Sequence, residues 1–139
     1  NNIKPNDATC TFTSPNNGDG TSGKVSYKFI FNEDNQLQRY TMTLNLDALA
    51  GDVNGLAAVQ NYYNQYRVLD VLTLNGYASS TTYTETGMQT IVTADLSVLD
   101  KATLTPTHNA LGFAQVTDSL GDTKDMIIQK YTLNNYICE

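Results

Sequence analysis

Tryptophan is absent, histidine occurs once, and cysteine occurs twice in 139 residues. One histidine and two cysteines separated by most of the chain cannot form the close ligand spacings of a structural zinc site or a redox dithiol motif. Basic residues are also scarce. Eight Lys and Arg stand against fourteen Asp and Glu, a formal net charge of -6. With no basic cluster among them, the chain lacks the electrostatic footprint of a nucleic-acid binder. No run of about 18 apolar residues is present, so no segment reads as a transmembrane helix. Charged residues make up only 16%, but hydrophobic residues reach 40%, a balance that belongs to a folded globule rather than a disordered tail. Uncharged polar residues fill the difference, and aromatic character rests mainly with nine tyrosines. The length suits one α+β domain over 9–139, preceded by a linker or trimmed juncture over 1–8.

The strand signal is strong in the first half. Thr9 to Ser14 alternates Cys10 and Phe12 with Thr9, Thr11 and Thr13. Pro15 stops it, and Asn16-Asn17-Gly18-Asp19-Gly20 supplies turn chemistry. From Lys24, Val25, Tyr27, Phe29 and Phe31 face one way, with Lys24, Ser26, Lys28 and Ile30 opposite. Asn32-Glu33-Asp34-Asn35 reverses the chain. Tyr40, Met42, Leu44 and Leu46 then alternate with Arg39, Thr41, Thr43 and Asn45. One apolar face on each strand demands a cover, since a lone hairpin is marginal in water.

The following segment supplies that cover. Asn54 is a suitable helix cap, and Leu56, Val59, Tyr63 and Tyr66 recur at helical spacing. Asp70 falls within the same helix, and Asn75-Gly76 closes it or turns the chain into the next strand. Tyr77–Thr84 and Met88–Leu96 read as a second hairpin. Beyond Leu99 the pattern weakens, and Pro106 rejects a central strand. Asp122 or Thr123 begins a second helix with Asp125 in its first turn and Ile127, Ile128 and Tyr131 as its stripe; Asn134-Asn135 ends it. The order is strand, strand, strand, helix, strand, strand, helix: an antiparallel sheet of about five strands packed against two helices.

Cys10 and Cys138 leave two readings open: a disulfide tying the ends of the domain, or two unrelated buried thiols. The low lysine content and abundant Thr and Asn suit an exported protein, where such bonds persist, and favour the disulfide.

Each candidate for chemistry has a plain alternative. His108, after Thr105-Pro106-Thr107, has no nucleophile motif near it and reads as a solvated loop histidine. Asp19 in its glycine-rich turn lacks the carboxylate pattern of a calcium loop, and Glu33-Asp34 reads as a hairpin tip with at most weak cation binding. Asp95 and Asp100 flank a strand end, with Asp95 on the polar phase, which does not suit a glycosidase pair. Tyr63 and Tyr66 share the face that packs on the sheet. Tyr62, Tyr77 and Tyr83 form the candidate binding surface for a protein or glycan. The Ser- and Thr-rich strand over Ala78–Thr86 suits a sheet edge able to accept a partner strand.

Several short motifs carry a resemblance. They are Thr9-Cys10-Thr11 before a glycine loop, a strand ending Phe31-Asn32-Glu33-Asp34-Asn35-Gln36-Leu37, and a hairpin closing on Ala94-Asp95-Leu96-Ser97-Val98-Leu99-Asp100. The last is a C-terminal helix leading into Tyr136-Ile137-Cys138-Glu139. Together they resemble the YehR-like lipoproteins, small secreted or lipid-anchored proteins of Gram-positive gut Firmicutes. The chain departs from that pattern at Asn134-Asn135, where a glycine is usual, and has no lipidation site. The resemblance implies a fold and an extracellular or surface-anchored location, and no catalytic residue. The expected function is a non-enzymatic, extracytoplasmic binding module needing no cofactor. A structural head of a pilin-like or adhesin assembly is the alternative, and a hydrolase a distant third.

Overall fold

The computed structural model describes residues 7–71, 75–99 and 119–139. Three long stretches of alternating side chains become the centre of a sheet. They are β1 (Asp7–Ser14), β2 (Thr21–Phe31) and β3 (Leu37–Ala48). α1 (Val53–Tyr66) and a 3₁₀ turn (Arg67–Val71) carry the chain to a second hairpin, β4 (Tyr77–Tyr83) and β5 (Gly87–Asp95). α2 (Lys124–Leu133) and the two-residue β6 (Ile137–Cys138) complete the order. The sheet is six-stranded and antiparallel throughout, β4-β5-β3-β2-β1-β6. The sixth strand is the C-terminal tail, which pairs with β1 at Cys10↔Cys138 and Thr11↔Ile137.

That pairing explains the disulfide. Thr9 and Glu139 exchange both backbone hydrogen bonds, at 3.0 and 2.8 Å, which makes Cys10 and Cys138 the adjacent non-hydrogen-bonded pair. At such a pair the strands approach most closely and the side chains meet. The Cα atoms are 4.0 Å apart and the two sulfurs are bonded. The reading of two separate thiols is thereby excluded.

One face of the sheet carries the core. Tyr27, Phe29, Tyr40, Met42 and Val92 turn inward and are buried, against Val59 of α1, Leu69 of the 3₁₀ turn, and Ile127 and Tyr131 of α2. Aromatic rings form its densest part. Phe29 and Tyr131 lie 5.0 Å apart, and Tyr131 meets Tyr136 edge-on at 5.0 Å, an arrangement favoured by the ring quadrupoles. On the opposite face Thr, Ser, Lys, Asn and Gln line up across strands. There the Thr11 and Ser26 hydroxyls lie 3.2 Å apart, and Gln89 donates to Asn45 at 2.9 Å.

The elements differ from the sequence reading at several boundaries. β1 starts at Asp7, so Asp7 and Ala8 belong to the sheet rather than to a juncture over 1–8; Ala8 is buried because it continues the Cys10 face. Asp52, not Asn54, caps α1, its carboxylate accepting from the Gly55 amide at 2.9 Å. Leu56 is exposed, which leaves Val59 as the buried anchor of that stripe. α1 stops at Tyr66, and Asp70 therefore lies in the 3₁₀ turn. Gly76, at φ +80°, turns the chain into β4. At α2 the expected features are present: Thr123 caps it, Asp125 sits in its first turn, and Asn134 and Asn135 end it, Asn135 at φ +70°.

Candidate functional site

The Asn16–Gly20 turn and α1 are joined through Asp19. One oxygen of its carboxylate accepts from the Thr21 amide at 3.1 Å and from the Thr21 hydroxyl, and the other from the Tyr62 hydroxyl at 3.2 Å. The Thr21 hydroxyl, more than any other group, holds the Asp19 carboxyl below its ordinary pKa, partly opposed by burial. Burial first, and then the Asp19 charge, push the Tyr62 hydroxyl up. Asp19 and Tyr62 are thus a structural pair. Tyr62 is half-buried on the turn side of α1 and is not part of an exposed aromatic surface.

Tyr77 departs further from expectation. It is 7% exposed within the core, and burial drives its hydroxyl well above the ordinary tyrosine range. Tyr83 alone of the three candidates presents its ring, at 41% exposure. The structure therefore does not bring Tyr62, Tyr77 and Tyr83 together.

What it brings together instead is Tyr83 and Tyr63, with ring centroids 5.0 Å apart and planes tilted 36°. The Arg67 guanidinium lies over the Tyr63 ring, 5.8 Å from its centroid, within cation–π range. Tyr63, Arg67, Val68 and Val71 line a shallow cleft of about 380 Å³. Val68 and Val71 are exposed, whereas Leu69 between them is fully buried and anchors the turn. Tyr63, expected to pack on the sheet, does so with one part of its ring and opens the cleft with another. Helical spacing of Tyr63 and Arg67 at i, i+4 was the local signal for this cluster. Tyr83, which completes it, comes from another strand twenty residues on.

Asp70 and Asp95 are committed to structure. Asp70 accepts from the Ser79 hydroxyl at 2.7 Å, the Thr81 hydroxyl at 3.1 Å and the Thr81 amide at 2.8 Å. The Thr84 amide bonds inward to Gly87, so odd-numbered residues of β4 direct their backbone groups outward. Asp70 thereby blocks an amide that an incoming strand would need. Replacing it with alanine is expected to cost about 1–2 kcal/mol, read by urea unfolding. The Thr81 amide should then exchange with solvent faster, and unchanged protection would show that this clamp is immaterial. Asp95 accepts from the Ser97 amide at 3.0 Å and from its hydroxyl, fixing the turn after β5. Glu33 and Asp34 are exposed at the β2–β3 tip, where the Asn32 side chain accepts from the Asp34 and Gln36 amides at 2.9 and 3.0 Å. Among the described residues no three His, Cys, Asp or Glu cluster as metal ligands. His108 and Asp100 lie outside the described residues.

A second hollow of about 310 Å³ lies along β1 and β6, lined by Thr9, Thr11, Phe12, Thr13, Asn135, Ile137 and Glu139. Asn135, at φ +70°, bends the chain just before this short pairing, and Asp7 and Thr13 of β1 flank it with their backbone groups directed outward.

No protein-family model matches the chain, and no curated protein matches it. A protein of Streptococcus pneumoniae TIGR4, solved by NMR, superposes on it with a TM-score of 0.56 at 14% identity. That alignment covers 100% of this chain and 89% of the other. The NMR structure of the Escherichia coli YehR protein aligns at a TM-score of 0.49 and 15% identity, over 94% of this chain and 88% of that one. At such identities the pneumococcal likeness is one of fold and brings no site residue.

Proposed function

We propose that this chain is an extracytoplasmic, non-enzymatic binding domain whose ligand, a protein or a glycan, meets the surface around Tyr83, Tyr63 and Arg67. The observation that carries the reading is the exposed Tyr83 packed on the half-buried Tyr63 beside Arg67, since tyrosine and arginine are residue types that anchor recognition surfaces. The Cys10–Cys138 disulfide supports an oxidising compartment and hence export. The described carboxylates Asp19, Asp52, Asp70 and Asp95 each accept structural hydrogen bonds, which suits binding rather than catalysis. Assembly as a surface-structure head by strand addition is the weaker reading, because Asp70 closes part of the β4 edge and β6 covers the middle of the β1 edge, with Asp7 and Thr13 on either side of it.

The test is a titration of isotope-labelled protein with soluble glycans and peptides released from bacterial envelopes, followed at the tyrosine ring resonances. Tyr63 and Tyr83 should shift together, and Tyr83→Ala should weaken the interaction at least tenfold. Binding that leaves both rings undisturbed, or alkylation showing free thiols in protein from its native source, would overturn the proposal.

A further inference from the structure

We propose that Asn75 is a modification site, at which the folded chain undergoes a spontaneous, one-way deamidation to aspartate and isoaspartate. Asparagine followed by glycine permits this chemistry, because no Cβ on the second residue hinders its backbone nitrogen from reaching the asparagine side chain. The Gly76 nitrogen attacks Cγ of Asn75, so the N–Cγ bond forms and the Cγ–Nδ2 bond breaks. The proton of the Gly76 amide leaves with Nδ2 as ammonia, and a cyclic imide remains. Water then opens the ring at either carbonyl. Cleavage of the N–Cγ bond gives aspartate. Cleavage of the bond to the backbone carbonyl carbon gives isoaspartate, in which the main chain runs through Cβ and Cγ. Water is the sole co-reactant.

The sequence holds this pair at Asn17-Gly18, Asn54-Gly55 and Asn75-Gly76, and the structure separates the three. The Gly18 amide donates to the Asn16 side chain at 2.9 Å, and Asn17 Nδ2 donates to the Thr21 hydroxyl at 3.0 Å, so nucleophile and target are both held. The Gly55 amide donates to the Asp52 carboxylate at 2.9 Å, within the first turn of α1. Each of those bonds must break before the nitrogen can attack. Asn75 is exposed, and among the described residues neither its side chain nor the Gly76 amide donates to any group. The same turn decides what the change does. The Gly76 carbonyl accepts from the Asp95 amide at 2.7 Å, next to the pairing of Tyr77 with Ala94 that begins the β4–β5 ladder. Space there is short: a Cβ on Gly76 would stand 2.5 Å from Cγ2 of Val98 and 3.0 Å from the Asp95 carbonyl oxygen. Isoaspartate inserts a backbone carbon directly before this contact, which draws Gly76 away from Asp95. The new carboxylate also adds a negative charge to a chain already at -6.

The experiment ages the disulfide-bonded protein in mildly alkaline buffer and follows each site by peptide mapping, with isoaspartate counted by enzymatic methyl-ester labelling. In the folded protein Asn75 should convert about tenfold faster than Asn17 or Asn54, since a hydrogen bond guards each of the other two. In urea above the unfolding midpoint the three sites should convert at similar rates, which assigns the difference to the fold. Asn75→Gln should abolish the acidic product from this site and leave the unfolding midpoint unchanged. In the isoaspartate fraction of the aged protein, the Asp95 amide should exchange with solvent at least tenfold faster than in the parent. Asn75→Asp carries the charge without the extra carbon, and its Asp95 amide should exchange as the parent's does. Faster conversion at Asn17 or Asn54 than at Asn75 in the folded protein would overturn the proposal, as would an Asn75 that converts only in urea. Unchanged Asp95 exchange in the isoaspartate fraction would overturn the structural consequence and leave the modification site standing.

Discussion

Replacing both Cys10 and Cys138 with alanine is expected to lower stability by about 5 kcal/mol. The residues are separated by 128 positions, and in the chain-entropy picture a cross-link closing so long a loop removes that much freedom from the unfolded ensemble. For a chain of this size the midpoint of thermal unfolding should fall by about 10–20 °C. The effect should have a local component as well. β6 is two residues long, and beyond the disulfide it is held by few backbone hydrogen bonds, including those between Thr9 and Glu139. In the variant, the Glu139 and Thr9 amides should exchange with solvent before the centre of the sheet opens. Addition of a thiol reductant to the parent should reproduce both changes. An unaltered midpoint would show that hydrophobic packing of Ile127 and Tyr131 alone secures the C-terminal segment.

The second large effect is expected at Gly55. In an ordinary helix, glycine to alanine is stabilising by about 1 kcal/mol. At this site the sign reverses. A Cβ on Gly55 would stand 2.0 Å from the carbonyl oxygen of Gly20 and 2.8 Å from its carbonyl carbon, both backbone atoms. The Gly20 carbonyl cannot move freely, because it also accepts from the Leu49 amide at 2.8 Å. Gly55→Ala should therefore cost about 3 kcal/mol by urea unfolding, as overpacking against a rigid neighbour does. Gly18→Ala is the control. Its φ of +86° is left-handed, unlike that of the helical Gly55, but nothing lies within 4 Å of the added methyl, so only backbone strain of about 1 kcal/mol is expected. Equal losses at the two positions would refute the close approach of α1 to the turn.

This contact marks where sequence reasoning stops. Alternation in β2, β3 and β5 is a local property, written every second residue, and it placed Tyr27, Phe29, Met42 and Val92 inward as observed. Caps are also local, but Asp52 and Asn54 are both good N-cap residues two positions apart, and their own chemistry does not choose between them. Docking of Gly55 on Gly20 selects Asp52, and it joins residues 35 apart in the chain. Tyr77 illustrates the same limit. Its strand has few apolar neighbours, so exposure was the natural expectation. Helical periodicity read on toward residue 75 concealed the 3₁₀ turn that packs Leu69 inward and ties Asp70 to β4. Once the helix ends at Tyr66, the turn falls beside the hairpin and Tyr77 is enclosed. Arg67 is illegible in the sequence for a related reason: a surface cation acquires meaning only when a ring from a distant strand arrives beside Tyr63.

The antiparallel pairing of β1 with β6 sets Thr9 and Glu139 side by side near one margin of the sheet, while Tyr83 lies at the other, four to five strand spacings or about 19–24 Å away. A biotin or a fluorophore carried at position 9 or at position 139 would therefore stand clear of Tyr83, and the two positions would behave alike as handles.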